Sequence, residues 1–383
     1  MINSDLNSYS DEAQSLLLIF ALFVFPRFLT PFKIPTGITT FILGVCASLF
    51  FDVFSHNSTI VVLSTFGIVS LFLLAGMDVD SKELWGHKKE LGTHLFIALI
   101  FLIFVYIFVH FGLKLTGRSG FLFSLALVAP STGFIISSLV SLNLNDDQKY
   151  WIKTKAISFE ILALVAMFFV IRSASFFDLV LGSILIALMI FVLPYIFSFF
   201  AKHIAPYAPN SEFGFLLLIA LLCASITENL GAYYLAGAFI VGIVAQRFEE
   251  QLPDIFSEKM IGAIKIFSAF FIPFYFFKSG SSLKASDFSI SALAYGAVLL
   301  IILTPVRYYS FILQRRYLFS ESKNANHHVA LNLLPTLVFG LVIANILKTK
   351  FQIPTFLYGA LIVYTLGTTL LPILLRKIEY KTS

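Results

Sequence analysis

Charge is what this sequence lacks most. Only 12% of its 383 residues are Asp, Glu, Lys or Arg, about half the share of an ordinary soluble domain. Hydrophobic residues make up 58%, 45 residues are Phe, and the mean hydropathy is +0.92. Together these exclude a soluble multidomain enzyme and a disordered chain. Cysteine is almost missing. Cys46 and Cys223 both lie in apolar runs and read as small core residues, not a disulfide. The opening MINSDLNSYSDEAQ carries no Lys or Arg. It lacks the basic start of a secretory signal, so no cleavage is expected. No HExxH, GxSxG, GxGxxG or CxxC pair occurs, and no span holds paired acids. These absences remove the common hydrolase, dinucleotide and zinc chemistries. The chain reads as no enzyme and as needing no cofactor.

What is present is a series of long, unbroken apolar runs. About 20 apolar residues cross a bilayer as a helix, and continuous runs exclude the alternating pattern of a barrel. Thirteen spans are expected, near 13–31, 36–54, 59–77, 93–113, 120–142, 153–172, 177–200, 212–230, 232–247, 262–283, 289–313, 328–347 and 354–375. The run 212–247 is too long for one helix, and Asn229-Leu230-Gly231 is its natural break. About eight residues follow the last span, so no cytosolic regulatory domain is expected and residues 1–383 form one transmembrane domain. An N-terminus outside and a C-terminus in the cytoplasm assign 18 basic residues to the inner side and 6 to the outer. Lys278 and Arg307 remain inside spans, which accounts for all 26. This threefold bias follows the positive-inside rule. The net charge of +5 therefore reports topology, and no nucleic acid is implied.

The chain also repeats itself. LFLLAGMDVDSKEL (71–84) and YFFKSGSSLKASDF (275–288) align on Gly76 and Gly280, with an acid in the following turn at Glu83 or Asp287. The offset of 204 pairs Pro130 with Pro335 to within one residue, and Phe41-Ile42-Leu43-Gly44 resembles Phe239-Ile240-Val241-Gly242. In each case the shift is seven spans, an odd number, so the halves run in opposite orientations. The layout is an inverted-topology repeat of 6+1+6 spans, with repeat A at 13–172, a linker helix at 177–200 and repeat B at 212–375. Such layouts mark many secondary transporters.

Two corresponding spans are broken. Ala129-Pro130-Ser131-Thr132-Gly133 interrupts the fifth, and Leu334-Pro335-Thr336 the twelfth. Proline removes a backbone donor and clashes with the preceding turn. A symmetric pair of such breaks points to a midplane site, where freed carbonyls and the hydroxyls of Ser131, Thr132 and Thr336 can hold a small cation. Glu160 lies seven residues into the sixth span from Lys153, about 10 Å along a helix. A bare carboxylate there costs roughly 2.5–3.5 kcal/mol on insertion scales, so this acid suits a carrier of either a proton or a cation. Arg307 either snorkels inward or balances the helix ends and Glu160. Lys278 reads mainly as a snorkelling residue at the outer interface.

These segments resemble a known family. FGIVSLFLLAGMDVDSKELW, LVAPSTGFIISSL, GAYYLAGAFIVGIV and IPFYFFKSGSSL are similar, in order, to motifs of the monovalent cation:proton antiporter-2 family, which contains Kef-type and Nap-type exchangers. The resemblance implies a homodimer with thirteen spans per subunit, two crossed broken helices, and a core that moves like an elevator. It implies Glu160 within one residue of the family's sixth-span Asp, and Arg307 at its eleventh-span basic residue. The usual acidic or amide neighbour is absent, since Phe159 precedes Glu160.

The expected activity is exchange of protons for a monovalent cation, Na⁺ or K⁺, across the cell membrane, in a bacterial inner membrane. Glu160 would carry the ion, with Ser131, Thr132, Thr336 and the backbone at Pro130 and Pro335 around it. Arg307 and, less directly, Lys278 would balance charge. The expected partners are the transported ions, membrane lipid and a second copy of the chain. A channel-like or sodium-coupled solute transporter on the same fold would instead show flux independent of a proton gradient. A non-transporting sensor or scaffold would copurify with a partner and move no ion.

Overall fold

The apolar runs fold as helices. The computed structural model describes residues 2–29, 31, 34–51, 58–79, 86, 88–133, 135, 145–173, 175–208, 210–229, 233–251, 258–318 and 323–382. The first helices are α1 (Ile2–Leu29), α2 (Thr36–Phe51), α3 (Ser58–Met77), α4 (Lys88–Leu113) and α5 (Gly117–Val128). They are followed by α6 (Asp146–Arg172), α7 (Phe176–His203), α8 (Glu212–Asn229), α9 (Tyr233–Gln251) and α10 (Glu258–Ser281). The last are α11 (Ile290–Leu318), α12 (Lys323–Asn332), α13 (Leu337–Thr349) and α14 (Thr355–Thr382).

Among the described residues nine helices are long and apolar enough to cross a membrane, and four shorter apolar helices accompany them. These thirteen segments fall one for one on the thirteen expected spans, with α12 and α13 as the two halves of the twelfth. The chain is an all-helical integral membrane protein. Glu83, Leu230, Gly231 and residues 136–142 of the fifth span lie outside the described residues.

Polar residues mark where helices begin. Asn145 and Gln148 form a capping box at the start of α6, which satisfies two otherwise orphaned amides. Ser175 accepts a hydrogen bond from the Asp178 amide at the start of α7. The two spans differ sharply in burial. Within His327–Thr349 94% of the spanning residues are buried, against only 17% within Phe176–His203, the expected linker. The apolar surface of α7 therefore suits contact with lipid.

Two compact units are present, one of Met1–Ile68 with Ile266–Ala285, the other of Val69–Lys265 with Ser286–Ser383. They cut across the expected repeat halves. The first is built on Leu22, Ile60, Phe274 and Phe277, with Phe23 stacked on Phe270 at 4.7 Å. In the second, α13 packs on α5 and α14, α14 on α11, α4 on α6, and α8 on α9.

Each unit contains the same helix crossing. In the first, a Cβ on Gly44 would strike the Phe277 carbonyl, and one on Gly280 would strike the Phe41 carbonyl. In the second, a Cβ on Gly76 would strike the Phe239 carbonyl, and one on Gly242 the Leu73 carbonyl. Every glycine thus faces the carbonyl three residues before its partner glycine. These are the four glycines that align in the sequence repeat. Under the expected offsets, which pair Gly44 with Gly242 and Gly76 with Gly280, one crossing maps onto the other. Small residues let helix backbones approach closely in a membrane, and here no side chain fits.

Burial also reaches bases that the sequence places at inner span ends. Lys155 and Arg315 are both buried. Lys155 Nζ donates to Gln314 Oε1 at 2.6 Å, and the Arg315 guanidinium lies over the Trp151 ring at 5.2 Å.

Candidate functional site

The two breaks meet within the second unit. The Ser131 amide donates to the Pro335 carbonyl at 2.8 Å, a pairing that joins one broken span to the other. The Ser131 hydroxyl accepts from the Val338 amide at 2.8 Å and so caps the first turn of α13. Pro130 ends α5 and Pro335 separates α12 from α13, each because the ring denies the helix its next hydrogen bond. Ser131, Thr132 and Thr336 are all buried. Thr336 Oγ1 pairs with Thr368 Oγ1 at 3.0 Å.

Arg307 sits where the first halves end. Its Nη1 donates to the Leu334 carbonyl at 2.9 Å and to the Tyr364 hydroxyl at 3.3 Å. Its Nη2 donates to the carbonyls of Val128 at 3.2 Å and Leu333 at 3.1 Å. Tyr364 in turn donates to the Leu127 carbonyl at 2.9 Å. The last carbonyls of a helix have no intrahelical donor, and each helix C-terminus carries about half a negative charge. One guanidinium therefore serves the ends of α5 and α12 together. Of the two roles left open for Arg307, the geometry is that of a clamp on helix ends. Snorkelling is excluded, because the side chain is 1% exposed.

Glu160 is 2% exposed on α6. Its polar neighbours are the Thr132 hydroxyl and the Asp78 carboxyl. The hydroxyl lies beside the carboxyl but short of a well-formed hydrogen bond, and Glu160 Oε2 and Thr132 Oγ1 are both buried without a partner. No ion pair within 4 Å joins Glu160 to a base among the described residues. The structure thus brings Glu160 and Thr132 together, and separately joins Ser131, Pro335 and Arg307 through the broken helices. Lys278 belongs to the first unit, half-buried near the end of α10, where its carbonyl accepts from the Ser282 amide.

Two residues escaped sequence reasoning. Asp78 follows the repeat glycine in AGMDVD and reads there as part of a polar turn. It lies near Glu160, with Lys153 and Lys265 as its own electrostatic neighbours. Tyr364 lies deep in the last span, and its signal is general: a tyrosine buried in an apolar helix needs a partner for its hydroxyl.

The family described as sodium/hydrogen exchanger, transmembrane, matches residues 16–377. The chain belongs to that family. The exchanger family stands beside the antiporter-2 family expected from the motifs, and both comprise cation:proton antiporters. The fold of the exchanger chain is also that of solved structures. The sodium proton antiporter MjNhaP1 from Methanocaldococcus jannaschii, in its structure at pH 8, matches with a TM-score of 0.66 at 17% identity over 96% of each chain. An electron-microscopy map of the same antiporter matches with a TM-score of 0.63 at 18% identity over 95% of each chain. A search of curated protein sequences gives no match.

Proposed function

We propose that this exchanger moves a monovalent cation, Na⁺ or K⁺, one way and protons the other, with Glu160 as the carrier. One observation carries the reading: Glu160 is a buried carboxyl with no basic counter-ion within 4 Å among the described residues, while the buried Arg307 is engaged by helix ends. A buried carboxylate left alone is costly. It is relieved either by a proton or by a bound cation, and the two exclude each other at one carboxyl. That competition is the chemistry of antiport. Thr132 supplies an uncommitted hydroxyl beside the carboxyl. The hydroxyls of Ser131 and Thr336 and the backbone at Pro130 and Pro335 are the further oxygens assigned to the cation, by their place at the two breaks. Asp78 adds negative potential that draws a cation toward Glu160.

If one carboxyl takes one proton or one cation, exchange is electroneutral. Arg307 contributes by holding the helix ends and takes no proton, since a guanidinium stays charged. The inverted repeat supports alternating access, and the family resemblance supports an elevator movement in a homodimer. The positive-inside count supports an outer N-terminus and a cytoplasmic C-terminus in the cell membrane. The test is to add Na⁺, K⁺ or Li⁺ to everted vesicles and follow internal pH. Cation-induced proton movement is expected with the native chain. Its absence with every cation at every pH would sink the proposal.

A further inference from the structure

A second polar feature lies apart from the transport residues. A cavity of about 320 Å³ is lined by Arg118, Ile171, Arg172, Asp178, Lys350 and Phe351. All six residues belong to the second unit. Arg118 opens α5, Arg172 closes α6, Asp178 opens α7, and Lys350 follows α13. Their three bases are half of those assigned to the outer side by the orientation count, and the fold brings them to one place.

The bases are not neutralised by their neighbours. No ion pair within 4 Å joins Asp178 to Arg118, Arg172 or Lys350 among the described residues, and Arg172 Nε is buried with no hydrogen-bond acceptor. Arg118 is held by its stack over the Phe351 ring, 5.7 Å from guanidinium to centroid. Three cations and one acid leave a formal charge of +2 in a small cavity. Two guanidinium groups offer the planar, forked donors that match phosphate oxygens.

We propose that this cavity binds a phosphate group, supplied by a phospholipid headgroup or by free inorganic phosphate. Its surroundings match the lipid source. Phe176 and Phe177, immediately before Asp178, are 83% and 72% exposed, and Phe169, one turn before Arg172, is 49% exposed. Phe partitions favourably into the hydrocarbon region, so these rings offer acyl chains a contact surface. Asp178 supplies an acceptor beside the cations. It suits a headgroup that carries hydroxyl or ammonium donors next to its phosphodiester, such as phosphatidylglycerol.

The test uses the purified full chain in detergent and does not depend on transport. Native mass spectrometry reads the retention of added phosphatidylglycerol and of phosphatidylcholine. Thermal melting reads inorganic phosphate. The Arg118→Gln/Arg172→Gln double variant should lower phosphatidylglycerol retention by about tenfold or more. Lys202→Gln, an exposed charge elsewhere, should leave it unchanged. Phosphatidylglycerol retention that phosphate does not displace identifies the lipid source. Stabilisation by phosphate that the double variant abolishes identifies the free anion. Lys350→Gln alone removes an exposed charge and provides the same comparison if the double variant does not fold, with a smaller loss. Equal binding of phosphatidylglycerol and of phosphate to the native chain and to the foldable variants would overturn the proposal, as would no binding of either.

Discussion

Arg307 and Glu160 are both buried charges in one compact unit, and their surroundings are opposite. Arg307 spends both terminal nitrogens on three backbone carbonyls and a tyrosine hydroxyl, and only its Nε lacks an acceptor. Glu160 has a threonine hydroxyl and a second acid for polar neighbours and an orphaned oxygen. A satisfied buried charge stabilises one arrangement and has little left to exchange. An unsatisfied one leaves room for a ligand that comes and goes. The difference separates the part of the site that holds the broken helices from the part that carries the ion.

The largest stability effect is expected from Arg307→Ala. It leaves three buried helix-end carbonyls without their donor, at a cost of about 1–3 kcal/mol each. The measurement is thermal melting of the purified protein, with expression level as a second readout. Arg307→Lys keeps the charge but replaces a planar fork with a point charge, so its melting temperature should fall between those of native and Ala proteins. If Arg307→Ala melts like the native chain, the clamp reading fails.

A smaller loss is expected from Ser131→Ala. It takes the cap from the Val338 amide, at a cost of about 1 kcal/mol, again read by melting. Transport should weaken with it, because Ser131 lies at the joint of the two broken spans. Thr132→Val should have the smallest stability effect of the series. Its hydroxyl makes no well-formed hydrogen bond, so replacing it by a methyl is nearly neutral for folding. It should instead raise the apparent KM for the cation several-fold in the vesicle assay. A Thr132→Val protein with lowered melting and unchanged KM would reverse the division between holding and carrying.

Much of this was legible in sequence, because bilayer thickness dictates the length of an apolar run. All thirteen spans were readable, and so were the breaks at Pro130 and Pro335. The repeat picked out Gly44, Gly76, Gly242 and Gly280, since a close backbone crossing excludes every other residue. Which glycine meets which was not readable, because the contacts run between Gly44 and Gly280 and between Gly76 and Gly242, not between aligned partners. Glu160 stood out as the acid deep in a span, but its proximity to Thr132 and Asp78 depends on how α3, α5 and α6 come together. Arg307 reads from sequence as either of two roles, and the carbonyls of Val128, Leu333 and Leu334 around it decide between them. Those carbonyls leave no mark in side-chain sequence. The burial of Lys155 and Arg315 is equally hidden in sequence, since a base near a span end reads as solvated, while in the fold Gln314 and Trp151 lie against them.

The most direct measurement is a paired one on Glu160→Gln: cation-induced proton movement in everted vesicles, and melting of the same purified protein. The amide keeps the size of the side chain and removes its charge. The account predicts that proton movement is abolished for Na⁺, K⁺ and Li⁺ while the melting temperature is unchanged or higher. A variant that melts normally and still drives full cation-dependent proton exchange would contradict the assignment of Glu160 as the carrier.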